Sequence, residues 1–299
     1  YITAEDVGMD TEDMDTVREV TPYVTGISES KGGAGNPSPI TAYGVFMGMK
    51  AAARYKYGSD VLEDRNVFVQ GIGHVGEALV EHLVNEGANV TIADINQERL
   101  DEVSSKYGAT IYTGNDIYNE AMDIYAPCAL GATINDSTID RIKAKIVAGC
   151  ANNQLAEPRH DQALVERGIL YAPDYVINAG GIINVSCEED DCVDKATRKV
   201  EEIYDTLLDV FSKADTLNKP TGEVVPRNQS TNQQQAKLSQ ETNRQNNNRR
   251  SCPKKFVDNS RCLGPVQQIA VLALKQGHAT PTVPLFLLIC RLFSVYLRK

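Results

Sequence analysis

The sequence has no tryptophan and only six phenylalanines and four histidines among its 299 residues. Aromatic packing must therefore rest mainly on its 13 tyrosines. The seven cysteines are odd in number, and neither they nor the histidines show metal-ligand spacing, since the nearest pair, Cys187 and Cys192, has no matching second pair. We therefore expect no metal site, and reduced thiols in a cytoplasmic enzyme are the simplest interpretation.

The sequence also shows neither the pattern of a secretory signal nor that of a membrane span. The chain starts at Tyr1 without an initiator methionine, a basic segment or an apolar segment, so no signal peptide is predicted and we interpret the chain as a fragment. Residues 283–297 are apolar, but they fall short of the roughly 20 residues that a span needs, and Arg291 interrupts them. We expect no membrane partner.

Positive charge is scarce in most of the chain and concentrated at its end. Residues 1–225 carry 18 Lys and Arg against 38 Asp and Glu, whereas residues 226–299 carry 12 against 2. Nucleic acid is therefore not expected as a partner, because phosphate binding needs clustered positive charge. Twelve of residues 226–250 are Asn or Gln. Such a stretch buries too little apolar area to offset chain entropy, so the tail is predicted to be disordered.

Strand-like and helix-like segments alternate from residue 66 onwards. Strands are predicted at 66–70, 89–93, 123–126, 146–148 and 170–172, and helices at 40–57, 74–86, 97–107 and 193–211. Alternation at this pitch favours parallel strands joined by right-handed crossovers, which is a doubly wound, Rossmann-type α/β sheet. Residues 1–40 show no such pattern and read as irregular.

A glycine motif, Gly71-Ile72-Gly73-His74-Val75-Gly76, lies between the first strand and its helix, and Asp94 ends the next strand. In dinucleotide-binding folds the first glycine allows a tight turn, the second lets the backbone approach a diphosphate, and the third lets helix and strand pack closely. Asp94 would bind the ribose hydroxyls and repel a 2′-phosphate, which favours NAD over NADP. The alternative is a glycine-punctuated turn without a ligand.

Amide side chains follow two later strands. Asn152-Asn153-Gln154 comes after one strand, and the segment from Asn178 to Asn184 comes after another. Ligands of open parallel sheets bind at these strand ends, and amides both donate and accept hydrogen bonds, which suits a carboxamide ring or an amino acid. Ordinary turn chemistry explains the same residues equally well.

Longer segments carry a resemblance to a known family. The chain resembles the glutamate/leucine/phenylalanine/valine amino-acid dehydrogenase family, and its leucine branch most closely. The likeness runs from residue 1 to about 225 and rests on six segments: Tyr1–Gly8, Tyr23–Ser28, Gly35–Gly44, Asp123–Ala132, Ala151–Leu155 and Tyr171–Gly181.

The resemblance implies NAD-dependent oxidative deamination, in which a branched-chain L-amino acid becomes a 2-oxo acid and ammonia. It implies a catalytic, proton-shuttling role for Asp6 and a substrate contact for Asn153. It places Thr41 and Asn178 near the nicotinamide. The other implied residues are Ala126, Cys128 and Ala129 in the cofactor groove, and Thr25, Ile182 and Val185 around the substrate side chain. It also implies a homo-oligomer.

Two departures from the family pattern shape the domain expectation. The family's catalytic and substrate-binding lysines lie upstream of Tyr1, so we expect this chain to bind NAD but to turn over substrate poorly. The tail does not resemble the family's ending, and we interpret it as a shifted reading frame. We expect residues 1–25 to be a remnant of a catalytic domain, 26–220 an NAD-binding domain and 221–299 an aberrant tail. The alternative function is a non-catalytic NAD-binding protein.

Overall fold

A computed structural model describes residues 2–4, 9–186 and 193–224. Contacts divide the chain into two units, one formed by Gly26–Pro226 and another that includes Tyr1–Thr25. The predicted disordered stretch beyond residue 224 and the candidate catalytic Asp6 lie outside the described residues.

The larger unit is built on a sheet of six parallel strands in the order β3-β2-β1-β4-β5-β6. The strands are β1 (Asn66–Gln70), β2 (Asn89–Ala93), β3 (Thr110–Ile111), β4 (Ile124–Pro127), β5 (Ile146–Val147) and β6 (Leu170–Tyr171). This order is the one expected for a Rossmann-type, doubly wound sheet, and it reverses between β1 and β4. The predicted fold class is confirmed.

Nine α-helices occur in the described residues. They are α1 (Thr11–Arg18), α2 (Ser38–Tyr57), α3 (His74–Asn85), α4 (Gln97–Tyr107), α5 (Arg159–Glu166), α6 (Asp174–Ile177), α7 (Gly180–Ser186), α8 (Val193–Leu217) and α9 (Thr221–Val224). Three 3-10 turns cover Glu29–Lys31, Ile117–Asn119 and Ile139–Arg141.

Two apolar cores cover the two faces of the sheet, because successive side chains of a strand point to opposite faces. Val67 and Val69 of β1 belong to the larger core, which α2, α3, α4 and α8 cover, whereas Phe68 belongs to the smaller core, to which α5 contributes Leu164. The same alternation places Ile124 and Ala126 of β4 on the larger side. The helices on both faces therefore hold the central strands, and the strand ends that form the site, in fixed positions.

Three sequence predictions need correction. Residues 11–18 form α1 rather than an irregular segment, because the Asp10 side chain accepts from the backbone N–H of Glu12 and Asp13 and completes a capping box. The alternation of strands and helices from residue 66 onwards also favours a helix between β4 and β5, but a 3-10 turn, Ile139–Arg141, occupies that connection.

The third correction concerns the start of the tail. Residues 221–224 form α9 instead of belonging to the tail. The Thr221 hydroxyl donates to the carbonyl oxygen of Tyr171 at 2.7 Å, and the Gly222 N–H donates to the Asp161 carboxylate at 2.8 Å. These two hydrogen bonds fasten the turn to the sheet unit.

In the part of the chain that the structure describes, no helix is both long enough and apolar enough to cross a bilayer. The apolar stretch at 283–297 lies outside that part.

Helix α8 offers a matched test of the packing. Leu207 is completely buried in the larger core, whereas Leu217, ten residues along the same helix, is 57% exposed. We expect Leu207→Ala to lower the free energy of unfolding by about 2–5 kcal/mol, since it removes buried methyl groups and leaves a cavity. Leu217→Ala should change it far less. Urea unfolding followed by circular dichroism measures both, and equal losses would contradict this packing of α8.

Candidate cofactor-binding site

The candidate site lies where the strand order reverses, at the carboxyl ends of β1 and β4. The two strands remain hydrogen-bonded up to their last residues, Gln70 and Pro127, and the N–H of Cys128 donates to the Gln70 carbonyl oxygen at 2.7 Å. Beyond these residues the two segments diverge: the glycine turn follows β1, and residues 128–131 follow β4. Open parallel sheets bind their ligands in this crevice.

The glycine turn follows β1, and its three glycines have different surroundings. Gly71 has a φ of +96°, and a Cβ there would stand 2.6 Å from the N atom of Ala129. A Cβ on Gly76 would stand 2.1 Å from the carbonyl oxygen of Gly71. A Cβ on Gly73 would meet nothing within 4 Å. Two glycines therefore allow close packing of the protein on itself, while the third borders open space.

Helix α3 begins at this open space with its first turn uncapped. Gly73 is the N-cap residue and has no side chain to accept from the helix, and the first N–H bonded to it is that of Glu77, at 2.9 Å. His74 follows as an exposed residue and Val75 as a partly buried one. Backbone N–H groups and the positive end of the helix dipole at such a terminus favour an anion.

Asp94, just beyond β2, is tied to the glycine turn. One carboxylate oxygen accepts from the N–H of Ile72 at 2.9 Å, and the other accepts from the N–H of Asn96 at 2.9 Å. The Ile72 N–H is therefore directed at Asp94 and not at the crevice. A carboxylate has about four lone-pair sites, so Asp94 retains acceptor capacity for further hydroxyl groups. Ile95, next in the chain, is fully exposed.

A buried hydroxyl supports the turn from within the sheet. The Tyr125 hydroxyl of β4 donates to the side-chain oxygen of Gln70, the last residue of β1. Burial raises the pKa of Tyr125 far above its ordinary value, so the hydroxyl stays neutral and remains a donor.

A second group of polar residues lies past β5. The amide nitrogen of Asn178 donates to the carbonyl oxygen of Cys150 at 3.1 Å and to the side-chain oxygen of Asn152 at 2.6 Å. These contacts orient the Asn178 amide and leave its oxygen as an acceptor. Asn153 is exposed with a φ of +53°, and its carbonyl oxygen accepts from the N–H of Ala132 at 2.7 Å. The loops after β4 and β5 are thereby joined.

Thr41 reaches the same region from α2. A Cβ on Gly181 would stand 2.8 Å from the Thr41 hydroxyl oxygen, which itself donates to the Pro37 carbonyl oxygen at 2.7 Å. Helix α7 therefore starts against α2. Ile182, which is 67% exposed, and Val185 share one face of α7, because residues three apart are neighbours on a helix.

The remaining sequence candidates lie elsewhere. Ala126 is fully buried in the larger core, so its side chain does not face the crevice, and only Cys128 and Ala129 of that segment border the glycine turn. Thr25 belongs to the other unit, where its N–H donates to the Thr3 carbonyl oxygen at 2.9 Å. Asp6 lies outside the described residues.

Two buried residues hold the Asn153 loop: Gln154, which belongs to an amide motif of the sequence analysis, and Asp174, which that analysis did not single out. Gln154 is fully buried and donates from its side chain to the carbonyl oxygens of Gly149, at 2.8 Å, and Ala151, at 3.1 Å. Its own N–H donates to the carboxylate of Asp174 at 3.1 Å. The sequence pointed to Gln154 by its place in an amide motif, but its burial and its contact with Asp174 show only in the fold.

A family model described as glutamate/leucine/phenylalanine/valine dehydrogenase matches residues 92–243. The chain belongs to this family. The resemblance inferred from the six sequence segments is thereby confirmed.

Individual dehydrogenases agree with that assignment. The chain is 56% identical over 218 residues to a leucine dehydrogenase of Thermoactinomyces intermedius, covering 72% of this chain and 59% of the relative. It is 44% identical over 218 residues to a valine dehydrogenase of Streptomyces coelicolor, covering 72% of this chain and 60% of the relative. The chain thus spans about three fifths of the length of these curated relatives.

A solved structure extends the likeness to three dimensions. The crystal structure of L-tryptophan dehydrogenase from Nostoc punctiforme superposes with a TM-score of 0.64 at 40% identity, covering 74% of this chain and 64% of that one.

The glycine turn supplies its own paired test. Gly76→Ala should destabilise the fold by about 1–3 kcal/mol or more, since its Cβ would overlap the carbonyl oxygen of Gly71. Gly73→Ala should leave thermal stability nearly unchanged, because its Cβ enters open space and its φ of −64° suits any residue. Calorimetry measures the melting temperature of each variant and of the parent protein. A Gly76→Ala protein as stable as the parent would show that this turn is looser than described.

Proposed function

We propose that this chain binds NAD and acts in the oxidative deamination of a branched-chain, leucine-like L-amino acid to its 2-oxo acid and ammonia. The observation that carries the proposal is the uncapped start of α3 at Gly73, beside the carboxylate of Asp94, at the strand-order reversal. The 56% identity to a leucine dehydrogenase supports the reaction class.

Two features of the crevice support a dinucleotide as its ligand. The open space at Gly73 and the uncapped N–H groups at the start of α3 suit a diphosphate. Asp94, one strand away, suits ribose hydroxyls and disfavours a 2′-phosphate. When bound, NAD supplies acceptance of a hydride from the substrate. The protein's part is orientation, exclusion of water and proton transfer.

The polar group past β5 suits the reacting end of the cofactor and the substrate. The free amide oxygen of Asn178 would accept a hydrogen bond from the nicotinamide carboxamide, while Asn153 would hold the substrate. Ile182 and Val185 offer an aliphatic surface for a branched side chain. On the family resemblance alone, we assign Thr25 to the substrate side chain and Asp6 to proton transfer during hydrolysis of the imine.

The proposal extends to the state and location of the protein. We propose a homo-oligomer, on the family resemblance. The unpaired thiols of Cys128 and Cys150, in the part of the chain described here, suit a reducing compartment and hence the cytoplasm.

Asp94→Ala tests the cofactor and its type. Loss of a charged acceptor should weaken NAD binding roughly ten- to hundredfold. NADP binding should weaken much less, so the preference for NAD over NADP becomes smaller. Titration of the purified chain with both cofactors measures the ratio of the NAD affinity to the NADP affinity. A general loosening of the turn would weaken both affinities and leave this ratio unchanged. Asp101→Ala, an exposed carboxylate on α4, is the matched control and should leave it unaltered. Equal affinity of the unsubstituted chain for NAD and NADP would refute the role of Asp94.

Asp6→Asn tests the reaction. In enzyme that turns over leucine, the rate of NADH formation should fall by about 10²–10⁴-fold, because a positioned acid–base group is lost, while NAD affinity stays near normal. Glu12→Gln, a nearby exposed carboxylate, should change neither quantity. A strong loss of NAD binding in Asp6→Asn would give Asp6 a structural role instead.

A further inference from the structure

Two cysteines from neighbouring strands meet at the floor of the crevice. Cys128 follows the last residue of β4, and Cys150 lies three residues past β5. The Cys150 Sγ lies 3.9 Å from the Cys128 carbonyl oxygen, and the two thiols are close enough to influence each other's ionisation. Both are unpaired thiols and both are partly buried. The strands that these residues follow, β4 and β5, are neighbours in the sheet. Neighbouring strands are about 4.8 Å apart, which is within the range of Cα separations that a disulfide bridges.

The pair lies between the two halves of the candidate site. A Cβ on Gly76 would stand 3.6 Å from the Cys128 Cβ, so Cys128 borders the glycine turn. The Cys150 carbonyl oxygen accepts from the Asn178 amide, so Cys150 belongs to the loop that orients the polar group past β5. We therefore expect a covalent change that links the two sulfurs to affect both the glycine turn and the polar group past β5.

The Cys150 thiol ionises with difficulty. The hydrogen bond with the Cys128 side chain, together with burial, raises the pKa of the Cys150 thiol well above its ordinary value. Because the thiolate is the attacking form, this raised pKa makes Cys150 slow to attack an external reagent first.

We propose that Cys128 and Cys150 form a redox modification site for small-molecule disulfides of the glutathione class. The Cys128 thiolate attacks the reagent disulfide, forms a mixed disulfide and expels one thiolate. Cys150 then gives up its proton and attacks the Cys128 sulfur, which closes the protein disulfide and expels the second thiolate. The reagent disulfide is reduced to two thiols, the two protein thiols are oxidised by two electrons, and their two protons pass to the leaving thiolates.

Closure of this bond has a consequence for the crevice that rests on the proposed function. Residues 128–129 are packed against the glycine turn without spare space. We expect a bond between the Cys128 and Cys150 sulfurs to shift this wall relative to Gly71 and Gly76. We expect NAD binding to weaken roughly fivefold or more and to recover on reduction.

The experiment uses the whole chain and oxidised glutathione as the probe. After incubation and blocking of free thiols, trypsin cleaves after Arg141, Lys143 and Lys145, so Cys128 and Cys150 fall in different peptides unless a disulfide joins them. Mass spectrometry should find the joined peptides, two mass units lighter than the sum of the separate ones, and a reductant should release them. Cys150→Ser should instead retain glutathione on Cys128. NAD titration of the oxidised and reduced chains follows.

Each outcome decides one point. Glutathione that stays on Cys128 of the unsubstituted chain, or no reaction at either cysteine, overturns the proposal. A 128–150 cross-link with unchanged NAD affinity supports the modification site and overturns its effect on the crevice. If the reduced chain does not bind NAD, the proposed function fails, while the cross-link still decides whether the site exists.

Discussion

The contact between the start of α3 and the end of β1 is the constraint on which the site depends. Only a hydrogen at Gly76 lets the helix come down onto the carbonyl oxygen of Gly71. The first turn of α3 then begins at Gly73, where an added Cβ would meet nothing within 4 Å and no side chain caps the helix. On the proposed function, an anion there would take the place of the water that solvates these N–H groups.

Much of the fold could be predicted because its signals are local. The bounds of β1, β2 and α4 agree with the sequence expectation, since each is an apolar run or an amphipathic segment bounded by a turn residue. Strand β3, only Thr110–Ile111, was missed because two residues give no periodic signal. Helix α1 was missed because its stability comes from the Asp10 capping box more than from an apolar face.

The site could be predicted by residue type but not by contact. Asp94 and Ile72 are 22 residues apart, and the hydrogen bond between them depends on how β2 aligns with β1. The amide of Asn178 is oriented by a carbonyl from another strand, and no spacing in the sequence gives that pairing. The Cys128–Cys150 contact belongs to the same class, because it follows from the pairing of β4 with β5. Long-range alignment, and not local propensity, decides such contacts.

The proposed function separates the contacts made to the cofactor from those made to the substrate. On that proposal the diphosphate donors are backbone N–H groups, whose position depends on glycine, so they would impose no choice of amino-acid substrate. Discrimination between substrates would then fall to side chains such as Ile182, which is exposed on α7. One methylene in such a pocket is worth about 1–3 kcal/mol, so a few substitutions there change specificity while the turn stays intact. Relatives named for leucine, valine and tryptophan are 56%, 44% and 43% identical to this chain, which fits that separation of scaffold from pocket.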